Sequence, residues 1–127
     1  MRRRATGVAL AVLATVSFAG PAPAQETMSA EALAQYITGN RYTGVNPETG
    51  APVGTVTYGA DGSSTLTLAG GEPQEGSWRL DGDAYCTRYA AFRDNTENCF
   101  RLEPAEDGRA QAYYTDGRRA LLLVPAP

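Results

Sequence analysis

The chain has 127 residues, neither histidine nor lysine, and 14 acidic residues against 11 arginines, giving a net charge of −3. An acidic surface without a basic run argues against nucleic acid and anionic membrane as partners, because both carry negative charge. The missing imidazole and amine also remove the usual bases that activate a serine, threonine or cysteine nucleophile.

At the N-terminus, Arg2, Arg3 and Arg4 precede a short apolar stretch over 8–16, and Pro21-Ala22-Pro23-Ala24 supplies small residues before Gln25. This layout predicts a secretory signal peptide over 1–24 and a single mature domain over 25–127. A membrane-spanning helix needs roughly 20 apolar residues; here Thr15, Ser17 and Gly20 interrupt the run and prolines end it. The first cysteine is Cys86, far beyond the apolar stretch, so no lipid anchor on an N-terminal cysteine is expected and general secretion is. Cleavage leaves 103 residues in which eight arginines face 14 acids, a net charge of −6. The expectation is a soluble monomer, periplasmic or secreted, with no membrane span after signal cleavage.

Residues 29–38 hold the one convincing helical pattern. Ser29 is placed to cap it, Glu31 suits the positive end of the helix dipole, and Leu33, Tyr36 and Ile37 form an apolar stripe. Gly39 follows, where the chain can turn left-handed and stop the helix. From there to the C-terminus, short alternating runs at 41–45, 53–58, 64–69, 76–80, 84–89, 99–103, 109–115 and 120–124 are separated by turn residues. Four of the separators are Asp-Gly pairs, at Asp61, Asp81, Asp107 and Asp116, a pairing favoured in tight hairpins. The pattern predicts a mainly β domain: an antiparallel up-and-down meander of about eight strands, forming a small barrel or half-barrel, with one short N-terminal helix. Alternation puts Val56 and Tyr58, Leu66 and Leu68, Trp78 and Leu80, and Phe100 and Leu102 on the apolar face, with threonines and arginines opposite. The run Leu121-Leu122-Leu123-Val124 does not alternate, which suggests cover on both sides, with the helix as one source of it.

Cys86 and Cys99 are the only cysteines, and in an exported chain of this size they are expected to form one disulfide. Their spacing is not that of a redox C-x-x-C pair, and no histidine completes a zinc set. No metal site and no cofactor are expected: Asp81-Gly82-Asp83 and Asp94-Asn95 fall short of the six to eight oxygens that calcium takes. A carboxylate pair could come from Asp81 and Asp83, which flank a turn, or from Glu72 and Glu75 upstream, but acids in turns are ordinarily solvated, so no catalytic residue is assigned and no enzymatic activity is expected.

The densest stretch is 76–89, GSWRLDGDAYCTRY. If Cys86 pairs with Cys99 across adjacent strands, Tyr85 falls opposite Phe100, and Arg88 and Arg101 share the face of the disulfide. In one reading Tyr85, Phe100, Leu102 and Trp78 form core while the arginine heads reach water. In the other, Tyr85, Arg88, Tyr89 and Arg101 border a concave pocket for a small anionic or aromatic ligand.

The ordered series Leu33-Ala34-Gln35-Tyr36, Thr38-Gly39-Asn40, Gly76-Ser77-Trp78, Gly82-Asp83-Ala84-Tyr85-Cys86 and Cys99-Phe100 resembles a group of small exported single-disulfide β proteins of Gram-negative bacteria. The resemblance implies a compact β domain in the periplasm or outside the cell, and it brings no catalytic residue with it. Gly76-Ser77-Trp78 is also similar to the G-x-W of lipocalins, where the motif lies on the first strand; here about three strands precede it, so the likeness is one of architecture. The expected function is non-catalytic binding or an envelope-associated role. A lipocalin-like small-ligand carrier is one form of it. Another is a protein-binding inhibitor of an exported enzyme that presents the 91–98 loop.

Overall fold

The computed structural model describes residues 26–91 and 93–127; the expected signal peptide over 1–24 lies outside them. One helix, α1 (Ala30–Ile37), precedes the strands β1 (Arg41–Val45), β2 (Pro52–Tyr58), β3 (Ser63–Leu68) and β4 (Gln74–Asp81). After them come β5 (Ala84–Tyr89), β6 (Asn98–Pro104), β7 (Ala110–Tyr114) and β8 (Arg119–Pro125). Each strand pairs antiparallel with the next, and β8 returns to β1, so the meander closes into an eight-stranded barrel. Closure leaves no sheet edge with unpaired backbone groups.

The four Asp-Gly turns carry their glycines, Gly62, Gly82, Gly108 and Gly117, at positive φ, as tight reversals between antiparallel strands require. Directly opposed residues share a face, and the pairs Tyr42↔Val56, Val56↔Leu66, Tyr85↔Phe100 and Phe100↔Tyr114 carry one interior face around the barrel. On the other face, the Arg79, Cys86 and Cys99 positions lie side by side, and Cys86 and Cys99 form the expected disulfide. Leu80 departs from the expected inward set. It shares the register of Trp78 but sits beside the β4–β5 turn, where 41% of it stays exposed.

The helix forms as its sequence dictates: the Ala32 N–H donates to Ser29 Oγ (3.1 Å), the Thr38 N–H to the Ala34 carbonyl (3.0 Å), and Gly39 follows at φ 76°. Leu33 and Ile37 of its stripe, both with no exposed surface, join the interior cluster that includes Tyr42, Tyr58, Leu102, Ala110 and, from the leucine run of β8, Leu123. Hydrogen bonds fix the helix across that end of the barrel: Met28 N–H to the Leu102 carbonyl (2.7 Å), Gly39 N–H to the Tyr58 carbonyl (2.7 Å), and Tyr36 hydroxyl to the Gly108 carbonyl (2.6 Å). The Tyr42 hydroxyl donates to the Tyr36 carbonyl, and the two rings stack with centroids 4.6 Å apart. One end of the barrel is therefore plugged. Among the described residues no helix is long and apolar enough to cross a membrane.

The break in alternation along the leucine run has a separate cause. Between Gln111 and Tyr113 the β7–β8 register shifts, and Gln111 Nε2 donates to the Ala120 carbonyl across the irregularity (2.9 Å). The shift takes β8 out of strict alternation, so Ala120 and Leu121 both border the interior while Leu122 pairs with Val45 on the outside.

Candidate functional site: a cavity inside the barrel

At the end away from α1, the barrel is not filled. A cavity of about 440 Å³ extends inward from the β1–β2 connection and the ends of β3, β5, β7 and the start of β8. Leu66, Leu68 and Phe100, expected on the apolar face, form part of its wall instead of closing the space. Room comes from small residues at interior positions: Gly44 and Gly54 on β1 and β2, Ala112 on β7 and Ala120 on β8. Gly44 is held small by its neighbour, since a Cβ there would stand 2.9 Å from Leu121 Cδ1.

The aromatic rings form a ladder along this interior. From Tyr58 it runs to Tyr85 (5.5 Å between centroids), then to Phe100 (5.4 Å) and to Tyr114 (5.0 Å) beneath the mouth. Trp78 stands behind it, edge-on to Tyr58 at 6.0 Å, with its Nε1–H donating to the Gly59 carbonyl (2.8 Å). It supports the wall without bordering the cavity.

Two hydroxyl pairs interrupt the apolar lining. Tyr58 and Tyr85 place their oxygens 3.3 Å apart, and Ser64 Oγ lies 2.7 Å from the Tyr89 hydroxyl and 3.0 Å from the Thr57 carbonyl. Burial pushes the pKa of Tyr58 and Tyr85 well above 10, and that of Tyr89 upward as well, because the charged form would lose its water. All three hydroxyls are therefore protonated throughout the physiological range.

Among the described residues that border the cavity, only Glu48 and Arg119, at the rim, are charged, and they face each other at 3.3 Å with most of Glu48 in solvent. An exposed pair of this kind holds the β1–β2 connection near β8 at a worth of about 1 kcal/mol or less.

No family model, curated protein or solved structure matches the chain.

Of the four residues singled out as candidate ligand contacts, the barrel brings two together. Tyr85 and Tyr89 lie on the interior face and border the cavity. Arg88 points outward into solvent, and Arg101 lies on the disulfide face, paired with Asp83 at 3.1 Å. The strict two-residue period of a strand separates them: a residue one position from an inward side chain faces out. Among the described residues, Cys86, Glu97 and Cys99 form the one grouping of metal-ligand type. Both sulfurs are spent in the disulfide, and the Glu97 carboxylate takes two hydrogen bonds from Arg79 (2.9 and 3.0 Å).

Sequence reasoning assigned Tyr58 and Phe100 to the core and passed over Ser64 and Tyr114 as site residues. The signal that finds them is the same alternation, applied once the register is known. Ser64 opposes Tyr58, and Tyr114 opposes Phe100.

Proposed function

We propose that the protein is a binding module, not an enzyme, and that it holds a small, largely apolar molecule inside the barrel. The observation that carries this reading is the cavity of about 440 Å³, open at one end and closed by α1 at the other. Its size lies within the roughly 300–1,000 Å³ of small-molecule sites, and its mix of apolar wall with a few fixed hydroxyls is the composition such sites have. The absence of histidine and lysine leaves the wall without the usual general bases, which suits retention of a molecule better than its conversion. Delivery by a signal peptide would make this a carrier or a sensor in the periplasm or outside the cell.

Titration with N-phenyl-1-naphthylamine, a neutral apolar fluorophore, tests the reading. Saturable binding of one probe per chain is expected. Leu68 borders the cavity opposite Gly54; Leu68→Trp should place a larger ring in the space and weaken the probe about tenfold while leaving the unfolding midpoint in place. Absence of saturable binding, or equal binding by the variant, would overturn the proposal.

A further inference from the structure

The Tyr58–Tyr85 pair limits what the cavity accepts. Each phenolic hydroxyl carries one proton to donate. The two oxygens are 3.3 Å apart, so one hydroxyl donates to the other, and that contact uses one of the two protons. The second has no acceptor among the described residues, although both side chains are nearly or wholly buried, at 3% and 2% exposure. The Ser64 pair differs. Ser64 spends its proton on the Thr57 carbonyl at 3.0 Å and so must accept from Tyr89 at 2.7 Å, which closes that arrangement. A buried donor without an acceptor costs about 1–3 kcal/mol, and this one borders the cavity from the half of the barrel nearer α1.

Resting on the binding reading above, we propose that the ligand is a neutral, mainly apolar molecule bearing a hydrogen-bond-accepting oxygen, such as a ketone, ester or amide carbonyl, which enters first and accepts the spare proton of the Tyr58–Tyr85 pair. Neutrality follows from the wall. Among the described residues, apart from Arg119 at the rim, already paired with Glu48, no cation borders the cavity. A carboxylate carried down to the two hydroxyls would be desolvated without a counter-charge. Burial keeps both hydroxyls protonated, so the site offers a donor whatever the physiological pH.

Competition against bound N-phenyl-1-naphthylamine tests this with three probes of one shape: 2-acetylnaphthalene, its isosteric hydrocarbon 2-isopropenylnaphthalene, and 2-naphthoate. The ketone should displace the fluorophore at roughly five- to tenfold lower concentration than the hydrocarbon, the worth of one buried neutral hydrogen bond, and naphthoate should be the weakest. Tyr58→Phe or Tyr85→Phe alone leaves one hydroxyl proton and should keep most of the preference; the double variant should lose it. Independently, the infrared carbonyl stretch of 2-acetylnaphthalene bound to the unmodified protein should fall below its value in hexane, a readout that does not depend on the variants folding. An unshifted stretch, equal displacement by ketone and hydrocarbon, or tighter binding of naphthoate would overturn the inference while leaving the binding function in place. Failure of the fluorophore itself to bind would remove both.

Discussion

Gly76 has no side chain, and Tyr89 occupies the space where one would be. A Cβ at this position would run into the Arg88 carbonyl and the Tyr89 ring on the paired strand β5. The Tyr89 ring thus lies against bare backbone, and its hydroxyl reaches Ser64 on β3 from there. Gly76→Ala is expected to lower the free energy of unfolding in urea by about 1–3 kcal/mol, the range for overpacking a filled site. It should also raise the dissociation constant of a cavity probe, because Tyr89 borders the cavity. Unchanged stability and unchanged affinity together would show that the β4–β5 pair yields without cost. At this scale the sequence is legible in pairs: Tyr85 with Tyr89 on one face, Arg88 with Arg101 on the other. Which face turns inward is not, because both sides of β5 carry large side chains and Cys86, on the outer face, is itself only 1% exposed.

Strands and helix were legible to within two residues at most boundaries, because turn chemistry is local. An Asp-Gly pair reverses the chain whatever the distant strands do. The docking of α1 was not, since an amphipathic stripe states that a face is buried without stating against what. Leu33 and Ile37 enter the barrel end, and the break in alternation along the leucine run is accounted for by a register shift near Gln111. Two seams pair at three positions, β7–β8 and β5–β6, and those of β5–β6 are Tyr85↔Phe100, Cys86↔Cys99 and Thr87↔Asn98. The disulfide stands at the middle of the β5–β6 seam and closes a loop with a sequence separation of 13. Replacing both cysteines by serine is expected to cost about 3 kcal/mol in urea unfolding, the chain-entropy value for a loop of this length. Amide exchange should accelerate first at Tyr85, Cys86 and Thr87 while α1 remains protected. A loss well below 1 kcal/mol would mean that strand pairing alone holds the seam.

For the whole molecule, the meander and the cavity differ in how they depend on sequence. Eight antiparallel neighbours follow from short strands joined by tight turns, whereas closure of β8 on β1 and an unfilled interior depend on strand register and on volumes summed over inward positions, which alternation does not supply. Composition does fix the pH response. With no histidine, no lysine and both cysteines in the disulfide, no side chain titrates between the carboxylates and the tyrosines. Unfolding free energy should therefore form a plateau from about pH 6 to pH 9, apart from a small contribution of the chain terminus. Above it the tyrosines act. Tyr36, Tyr42, Tyr58, Tyr85 and Tyr89 all have pKa values raised from 10.0 in the folded state, chiefly by burial. As pH passes 10, the unfolded chain releases their protons while the folded chain holds them, so the unfolded state is favoured and stability falls with rising pH. The stabilisation is fully present below the unfolded pKa and is lost through the interval up to the folded values. Urea midpoints measured between pH 6 and 11.5 should stay level and then drop steeply, and Tyr58→Phe/Tyr85→Phe should make the drop shallower by removing two of the five groups. A slope inside the plateau, or an alkaline limb unchanged in the double variant, would show that these buried hydroxyls do not set the upper limit of stability.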